Sequence, residues 1–461
     1  MRVLQVIHQF PPFSSQGSEV YCQQLSECLM ALGDEIGVFH VSNTQPRFPK
    51  RLERHVVDGI QVFHCIDAGE YARLANYSNS FLVESFSRVL KDFTPDVVHF
   101  HNYLSLGDDL VGLAKNQHCA VIYTLHDYGL ICPNQHLLME DNTRCSKDSF
   151  DFFEGCCPAL LRVLPRGQAP IAAKLPSLAR WRQFALNQAG AKRRALLRFS
   201  VFLAEKILGS PETSDVEDKK RFFFTATQKI FTRVDLFLAP SQFLANKYIA
   251  CGVSPDRIVH LRYGMRHFRR MQPRHPQKTR LQFGYIGAFH PHKGVDLLLE
   301  AFRGLGDRAT LHLHGSSFGS PISEAHFRQK TNEPIPGVLL HGRYDNSQIG
   351  SILAEFDAVI VPSRWFENSP LTIQEAQIAG IPVITADVGG MAELVRDGVD
   401  GRLFRCNDAN DLRRVLLNLI ETPQQLQTFQ SHAPSVPSVD EQAVQVRLNY
   451  ERVLATLLKN E

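Results

Sequence analysis

Two glutamates, Glu367 and Glu375, flank the start of a predicted helix in the second half of this 461-residue chain. The apolar run Ala358 to Val361 comes shortly before them and has the length and composition of a buried strand. Ser369 is a favourable N-cap residue and Pro370 suits a first helical position, so we expect the helix to begin at Pro370. A strand, a loop and an open helix N-terminus together favour binding of an anion such as phosphate.

The first turn of this helix has two free amide donors, Leu371 and Thr372, because proline has no N–H. Glu367 precedes the helix and Glu375 lies about a turn and a half inside it. Since carboxylates accept hydrogen bonds from hydroxyls, a nucleotide sugar would match this order, with its sugar at Glu367, its diphosphate at the helix tip and its ribose at Glu375. The alternative is a surface helix with two solvated glutamates. The predicted donor contacts in this stretch are Glu367, Asn368, Ser369, Leu371, Thr372 and Glu375.

The spacing of these two glutamates resembles the donor-site motif of retaining GT-B glycosyltransferases, and its setting resembles glycosyltransferase family 4. The resemblance covers roughly residues 1–130 and 235–430 and is most specific in the second part. There, residues stand in the family's order at Lys293-Gly294, Pro362-Ser363, Glu367, Glu375-Ala376, Gly380, Pro382 and Gly389-Gly390.

Predicted strands alternate with predicted helices in both parts of the chain, which indicates an α/β protein with doubly wound parallel sheets. We predict two Rossmann-like domains that face a cleft, as in the GT-B fold. The first would comprise residues 1–265, with an insertion at about 130–231 and a closing helix at 440–461. The second, which would bind the donor, would comprise residues 281–430. The basic stretch Arg266 to Arg280 is a plausible linker.

Lys293 follows a predicted strand and precedes a helix, where a lysine can neutralise charge on a departing diphosphate. The family resemblance implies that role, although loop lysines are commonly just solvated. The family usually places an arginine where this chain has Ala288. Either His290, His292 or Arg262 replaces it, or stabilisation of the leaving group is weaker. It also usually has a glycine pair in the first loop, of which only Gly17 is present, after Gln16.

His126 ends a predicted strand and faces the expected cleft. It resembles the histidine that family members hold near the reaction centre, so we assign it, with Lys293 and Glu367, to the catalytic group. A structural histidine beside Asp127 is the alternative. We predict weaker contacts to the acceptor from His101, Asn102 and Asp127.

No Asp-x-Asp sequence occurs, so we expect no metal ion at the diphosphate and no cofactor. The absence of Gly-x-Gly-x-x-Gly after the first strand argues against a dinucleotide oxidoreductase. A local cysteine cluster could hold zinc, but its spacing favours reduced thiols. Its members are Cys132, Cys145, Cys156 and Cys157.

The segment 160–208 contains ten basic residues and one acidic residue, interleaved with large apolar ones. This composition fits an interfacial helix pair on an anionic membrane, and equally a helical insertion with a solvated basic face. A nucleic-acid partner is not expected, because no nucleic-acid-binding module accompanies the charge.

The overall composition, with 44% hydrophobic and 21% charged residues, is typical of a folded soluble protein. No signal peptide or transmembrane stretch is evident, so we expect a cytoplasmic protein, with peripheral binding to the inner face of the membrane if 160–208 is interfacial.

The resemblance implies a metal-independent, retaining hexosyltransferase that uses a nucleoside diphosphate sugar. Its acceptor would be a saccharide or a lipid-linked sugar. Because Gln16 and Ala288 depart from the family pattern, a catalytically silent sugar-nucleotide-binding or scaffold protein is the alternative. The sequence does not specify the base, sugar, acceptor or linkage.

Overall fold

Two β-sheets, one of eight strands and one of six, organise the protein in the computed structural model. Each has helices on its faces, which confirms the predicted GT-B type of α/β fold. We refer to the first sheet with its helices as the first lobe and to the second as the second lobe. The structure describes residues 1–12, 17–43, 50–67, 80–101, 107–132, 135–139, 144–145, 213–268, 280–317, 325, 327 and 334–460.

The first lobe is a parallel sheet with one antiparallel edge strand, in the order β3-β4-β2-β1-β5-β6-β7-β8. Its strands are β1 (Arg2–Ile7), β2 (Glu35–Asn43), β3 (Arg51–Val57), β4 (Ile60–Asp67), β5 (Val97–Phe100), β6 (Ala120–Thr124), β7 (Leu236–Ala239) and β8 (Ile258–His260). Its helices are α1 (Gly17–Ala31), α2 (Ser80–Phe93), α3 (Gly107–Asn116), α4 (Thr213–Arg233) and α5 (Gln242–Ala250).

The second lobe is an all-parallel sheet in the order β11-β10-β9-β12-β13-β14. Its strands are β9 (Leu281–Ile286), β10 (Ala309–His314), β11 (Val338–Gly342), β12 (Ala358–Val361), β13 (Val383–Ala386) and β14 (Gly401–Phe404). Its helices are α6 (Val295–Phe302), α7 (Ile349–Leu353), α8 (Leu371–Ala379), α9 (Gly389–Leu394), α10 (Ala409–Glu421) and α11 (Gln424–Ser431).

The last helix, α12 (Val439–Asn460), returns to the first lobe and packs on α1. Its apolar side contributes Val446, Tyr450 and Val453 to the core under β1 and β2. The Tyr450 hydroxyl lies 2.6 Å from His99 Nδ1 on β5, so the helix is joined to the sheet by a polar contact as well. The first lobe therefore contains both ends of the described chain.

Some elements lie where the sequence pattern gave no prediction. Strand β3 alternates exposed and partly buried residues and is too polar to read as a core strand. Helix α4 occupies the end of the interval assigned to the insertion, where Phe223, Ala226 and Ile230 form a buried stripe at helical spacing. The basic segment 160–208 and the pair Cys156-Cys157 lie outside the described residues.

Candidate active site

A cleft of about 680 Å³ lies between the two lobes, at the ends of their parallel strands. The carboxyl ends of such strands are the usual position of ligands in doubly wound sheets. The cleft is lined by most of the residues singled out from the sequence: Gly17, His126, Asp127, Lys293, Glu367, Asn368, Ser369, Leu371, Thr372 and Glu375. His101 is not among its lining residues, and Asn102 lies outside the described residues.

Helix α8 presents its N-terminus to this cleft, but it begins one residue later than expected. Pro370, and not Ser369, is the N-cap residue, with φ −60° and ψ 123°. The prediction of a Ser369 cap was wrong, because the Ser369 hydroxyl instead accepts a hydrogen bond from the side chain of Gln374. Gly380, at φ 70°, ends the helix as expected.

The tip of α8 has two available donors. The amides of Ile373 and Gln374 donate to the Pro370 carbonyl, whereas the amides of Leu371 and Thr372 have no acceptor among the described residues. The Leu371 side chain also lies 3.8 Å from the position of a Cβ built on Gly17, the first residue of α1. The first residues of α1 and α8 therefore lie close together in the cleft, and helix N-termini favour a bound anion.

Lys293 and Glu367 form an ion pair in the cleft, with Lys293 Nζ 2.6 Å from Glu367 Oε1. The Ser363 hydroxyl donates to the same carboxylate oxygen at 2.9 Å. Glu367 is 7% exposed, so its charge needs these donors. The Lys293 ammonium also lies 5.2 Å from the centre of the Trp365 ring. The sequence placed Lys293 and Glu367 at different parts of a ligand, and did not predict that they contact each other.

Glu375 is partly buried on the first turns of α8, and burial raises the pKa of its carboxyl to about 7. Glu367, which precedes the helix, lines the same cleft, so both predicted carboxyl groups are present in it. Trp365 Nε1 and Asn368 Oδ1, on neighbouring lining residues, are buried and have no hydrogen-bond partner among the described residues. Because an unsatisfied buried polar atom costs roughly 1–3 kcal/mol, hydroxyls of a ligand could satisfy both.

His126 lines the cleft but uses both ring nitrogens within the protein. Its Nδ1 lies 2.7 Å from the Tyr263 hydroxyl, and its Nε2 lies 3.1 Å from His101 Nδ1. His101 Nε2 in turn lies 2.7 Å from the side-chain oxygen of Gln5. Burial lowers the pKa of His126 to about 3, so the ring is neutral at physiological pH. This histidine can shape the cleft, but its neutral ring brings no positive charge there.

The acceptor-side candidates have different positions. His101 is 1% exposed and is held behind His126, so it supports the cleft without lining it. The Asp127 carboxylate lines the cleft and accepts a hydrogen bond from the Gly129 amide at 2.7 Å. Burial raises the pKa of the Asp127 carboxyl.

Ala288 lines the cleft, but none of the three proposed substitutes for an arginine at that position does so. His290, His292 and Arg262 are absent from its described lining. Among the described residues, the basic side chains that line the cleft are Lys293 and Arg266. Arg266 Nη2 lies 2.6 Å from a carboxylate oxygen of Glu27 on α1.

Several lining residues were missed by the sequence reasoning. Tyr21 and Gln24 follow Gly17 at positions four and seven along α1, so helical spacing could have placed them on the same face. Ser363 and Trp365 lie within the predicted binding loop itself. Tyr263 and Arg266 follow β8, and no sequence signal identifies them as part of the cleft.

Two lobes, each a largely parallel sheet with helices on its faces, border one cleft and define the GT-B fold. The family model "Glycosyl transferases group 1" matches residues 268–436, and "Glycosyltransferase Family 4" matches residues 15–148. The chain belongs to the family 4 group of glycosyltransferases.

Relatives with curated descriptions match only part of the chain. An uncharacterised protein in the cps region of Klebsiella pneumoniae is 26% identical over 208 residues, which are 43% of this chain and 55% of that protein. An uncharacterised glycosyltransferase of Methanocaldococcus jannaschii is 31% identical over 145 residues, 32% of this chain and 40% of that protein. The match thus spans about half or less of these two relatives.

Among solved structures, the Anabaena protein HepE in complex with UDP and glucose has a TM-score of 0.59 to this chain. It is 16% identical, and the match covers 97% of this chain and 99% of that one. At this level of identity the likeness supports the fold. Within the part of the chain that the structure describes, no helix has the length and apolar character needed to cross a membrane.

Proposed function

We propose that the chain is a retaining hexosyltransferase that moves a sugar from a nucleoside diphosphate sugar to an acceptor hydroxyl. The observation that carries this proposal is that one cleft is lined by Glu367, which precedes the open α8 tip, and by Glu375 inside α8, with Lys293 paired to Glu367. Hydroxyl-binding groups thus flank an anion-binding helix end, in the order that a nucleotide sugar requires. HepE, which was solved with UDP and glucose, supports a nucleotide sugar as the donor.

In the proposed reaction the bond between sugar C1 and the diphosphate oxygen breaks, and the acceptor oxygen bonds to C1 on the same face. The proton of the acceptor hydroxyl passes to the departing phosphate oxygen. The Lys293 ammonium and the amides of Leu371 and Thr372 stabilise the negative charge of the leaving group. Glu367 orients the sugar and Glu375 holds the ribose. We expect this step to need no metal ion, so activity should persist in the presence of a chelator.

The acceptor in this proposal is a saccharide or a lipid-linked sugar, and the product belongs to a surface polysaccharide, a glycolipid or another glycoconjugate. The Klebsiella pneumoniae relative, named as a protein in the cps region, supports the first of these. The basic and apolar segment 160–208 supports a cytoplasmic protein that lies on the inner face of an anionic membrane.

Two variants test the assignment of the site. Lys293→Ala and Glu375→Gln should each lower the rate of sugar transfer by about 100-fold or more, because each removes a contact to the diphosphate or ribose. Matched controls are Lys91→Ala on α2 and Glu300→Gln on α6, both exposed and outside the cleft. The donor is first found from the rise in melting temperature that UDP-, GDP- and ADP-sugars produce. Full transfer by both site variants would refute the assignment.

The second candidate is a catalytically silent protein that binds a sugar nucleotide. It is favoured by Ala288, which lines the cleft where a family arginine is expected. Calorimetric titration separates the two proposals, because a silent protein would bind a donor yet neither hydrolyse nor transfer its sugar with any acceptor tested.

A further inference from the structure

One face of the first sheet carries three histidines on three adjacent strands. His40 on β2 pairs directly with His64 on β4, and Glu53 on β3 pairs with His64 from the other side. His55 follows Glu53 by two residues on β3, so it projects from the same face. Ser42 follows His40 by two residues and also shares that face. Backbone register alone therefore gathers these five side chains at one end of the sheet.

The imidazoles of His40, His55 and His64, which we call the three-histidine cluster, lie close enough to share an ion. Each contributes one ring nitrogen to a set in which all nitrogens lie within 4.8 Å of one another. Tetrahedral binding at about 2.0–2.1 Å from an ion needs nitrogens about 3.4 Å apart. Because the His40 and His64 rings stack with 4.2 Å between centroids and 17° between planes, their side chains must rotate for the nitrogens to converge on an ion. His40 is fully buried and His64 is 3% exposed, whereas His55 is partly buried.

The hydrogen bonds of His64 orient it as a metal ligand. Its Nε2 lies 2.5 Å from the Ser42 hydroxyl, and its Nδ1 lies 3.9 Å from Glu53 Oε2. A histidine that binds a metal through one nitrogen characteristically gives its other N–H to an oxygen acceptor, which is the position of Ser42 here. The Glu53 carboxylate, whose Oε1 lies 2.5 Å from Arg51 Nε, would have to turn towards an ion to serve as its fourth ligand.

Imidazole binds metals in its neutral form, so the cluster would bind an ion with neutral rings. The cluster is separate from the donor cleft, since none of its members lines that cleft.

We propose that the three-histidine cluster binds one divalent transition-metal ion of the zinc type, with Glu53 available as the fourth ligand. Imidazole nitrogens with one carboxylate suit zinc and its neighbours better than magnesium or calcium. The ion would connect β2, β4 and the edge strand β3. Its role is structural, and it is independent of the proposed sugar transfer.

Titration of the chelator-treated full chain with Zn²⁺ and with Co²⁺ tests this proposal. One equivalent of Co²⁺ should give the visible absorption of a tetrahedral nitrogen and oxygen site without the near-ultraviolet band of thiolate ligands, and Zn²⁺ should raise the melting temperature. His55→Gln should weaken binding by about 100-fold or more, and Ser42→Ala by roughly tenfold. The control His260→Gln changes an exposed histidine on β8 and should bind like the unaltered chain.

Other outcomes would overturn the site. Binding that is equal in the unaltered chain and in His55→Gln would exclude the cluster as the ligand set. A cobalt spectrum with only a thiolate band would assign the ion to cysteines instead. If His55→Gln is poorly folded, Glu53→Gln and Ser42→Ala provide the same comparison, and unchanged affinity in both would refute the proposed coordination.

Discussion

Lys293 and Glu367 balance each other's charge, and this pairing affects how the proposed donor site would bind a diphosphate. The Lys293 ammonium lies 2.6 Å from a carboxylate that is itself 7% exposed. A diphosphate that enters the cleft competes with Glu367 for the same ammonium. Because Ser363 also donates to Glu367, this carboxylate retains one partner when the lysine turns to phosphate. The site can therefore exchange contacts without leaving a buried charge unpaired.

Glu375 should make both donor binding and stability depend on pH. Its carboxyl has a pKa of about 7, raised by burial from an ordinary value of 4.5. Between pH 4.5 and 7 the carboxyl is protonated in the folded state but ionised in the unfolded state. The free energy of unfolding therefore falls as pH rises through this range. Ionised Glu375 is the better acceptor for ribose hydroxyls, so donor affinity should rise over pH 6–8.

Glu375→Gln gives the comparison for this prediction. The variant should gain unfolding free energy over the unaltered chain by about 1–3 kcal/mol at pH 8, and the two should agree near pH 4.5. Denaturant titrations at both pH values measure the difference. Its donor affinity should not change over pH 6–8. A pH-dependent affinity that persists in the variant would assign the titration to another group.

At the scale of elements, the Lys293 loop is held in place by a glycine. Gly294 has φ 72° and lies so close to the loop after β12 that an added Cβ would be 2.0 Å from the Pro362 carbonyl oxygen. A side chain here would push the Lys293 loop away from the loop that carries Ser363 and Glu367. Both parts of the proposed donor site therefore depend on this contact.

Gly294→Ala should lower the unfolding free energy by about 3 kcal/mol or more, since it combines steric overlap with left-handed backbone strain. Gly398 is a matched control, because it has φ 73° with no atom near an added Cβ. Gly398→Ala should cost only about 1–2 kcal/mol of backbone strain. Thermal or denaturant unfolding of both variants measures the difference. Equal losses would mean that the contact with Pro362 contributes nothing.

Elements with a strong local signal were predictable from the sequence. The apolar run of β12 and the terminating Gly380 located the helix α8 and its two free amides. The N-cap was misplaced because Ser369 binds Gln374, a contact that only the folded loop creates. The ion pair of Lys293 and Glu367 joins residues 74 positions apart. The contacts of the two His126 ring nitrogens with Tyr263 and His101 likewise form only when the sheet brings their strands together. Such contacts follow from tertiary packing, which local pattern does not encode.

At the scale of the molecule, the lobes contact each other beside the cleft. Glu393 on α9 accepts hydrogen bonds from the Gln242 amide at 2.8 Å and from the Phe243 amide, both in the first turn of α5. The Phe243 ring stacks on Phe366 at 5.1 Å between centroids, and Asn368 Nδ2 donates to the His126 carbonyl at 2.6 Å. A carboxylate of the second lobe thus caps a helix of the first.

Glu393→Ala should loosen this contact. Loss of a charged helix cap costs roughly 1 kcal/mol, which is about a fivefold shift in population towards separated lobes. Small-angle X-ray scattering should show a larger radius of gyration, with little change in circular dichroism. Glu355→Ala, an exposed glutamate on the second lobe, is the control. Unchanged scattering in Glu393→Ala would show that other contacts hold the lobes.

The return of α12 to the first lobe determines how the polypeptide could be recombined. The chain leaves the first lobe near Met265 and re-enters it near Ser438, and these two residues form a β-bridge side by side. The Gly264 amide also donates to Gln442 at the start of α12. The second lobe is therefore inserted between β8 and α12 of the first lobe, and the two connections between the lobes lie side by side. A chimaera that exchanges the second lobe therefore needs two junctions, one near Met265 and one near Ser438. A single junction near Met265 would also replace α12, and the core of the first lobe would lose Tyr450.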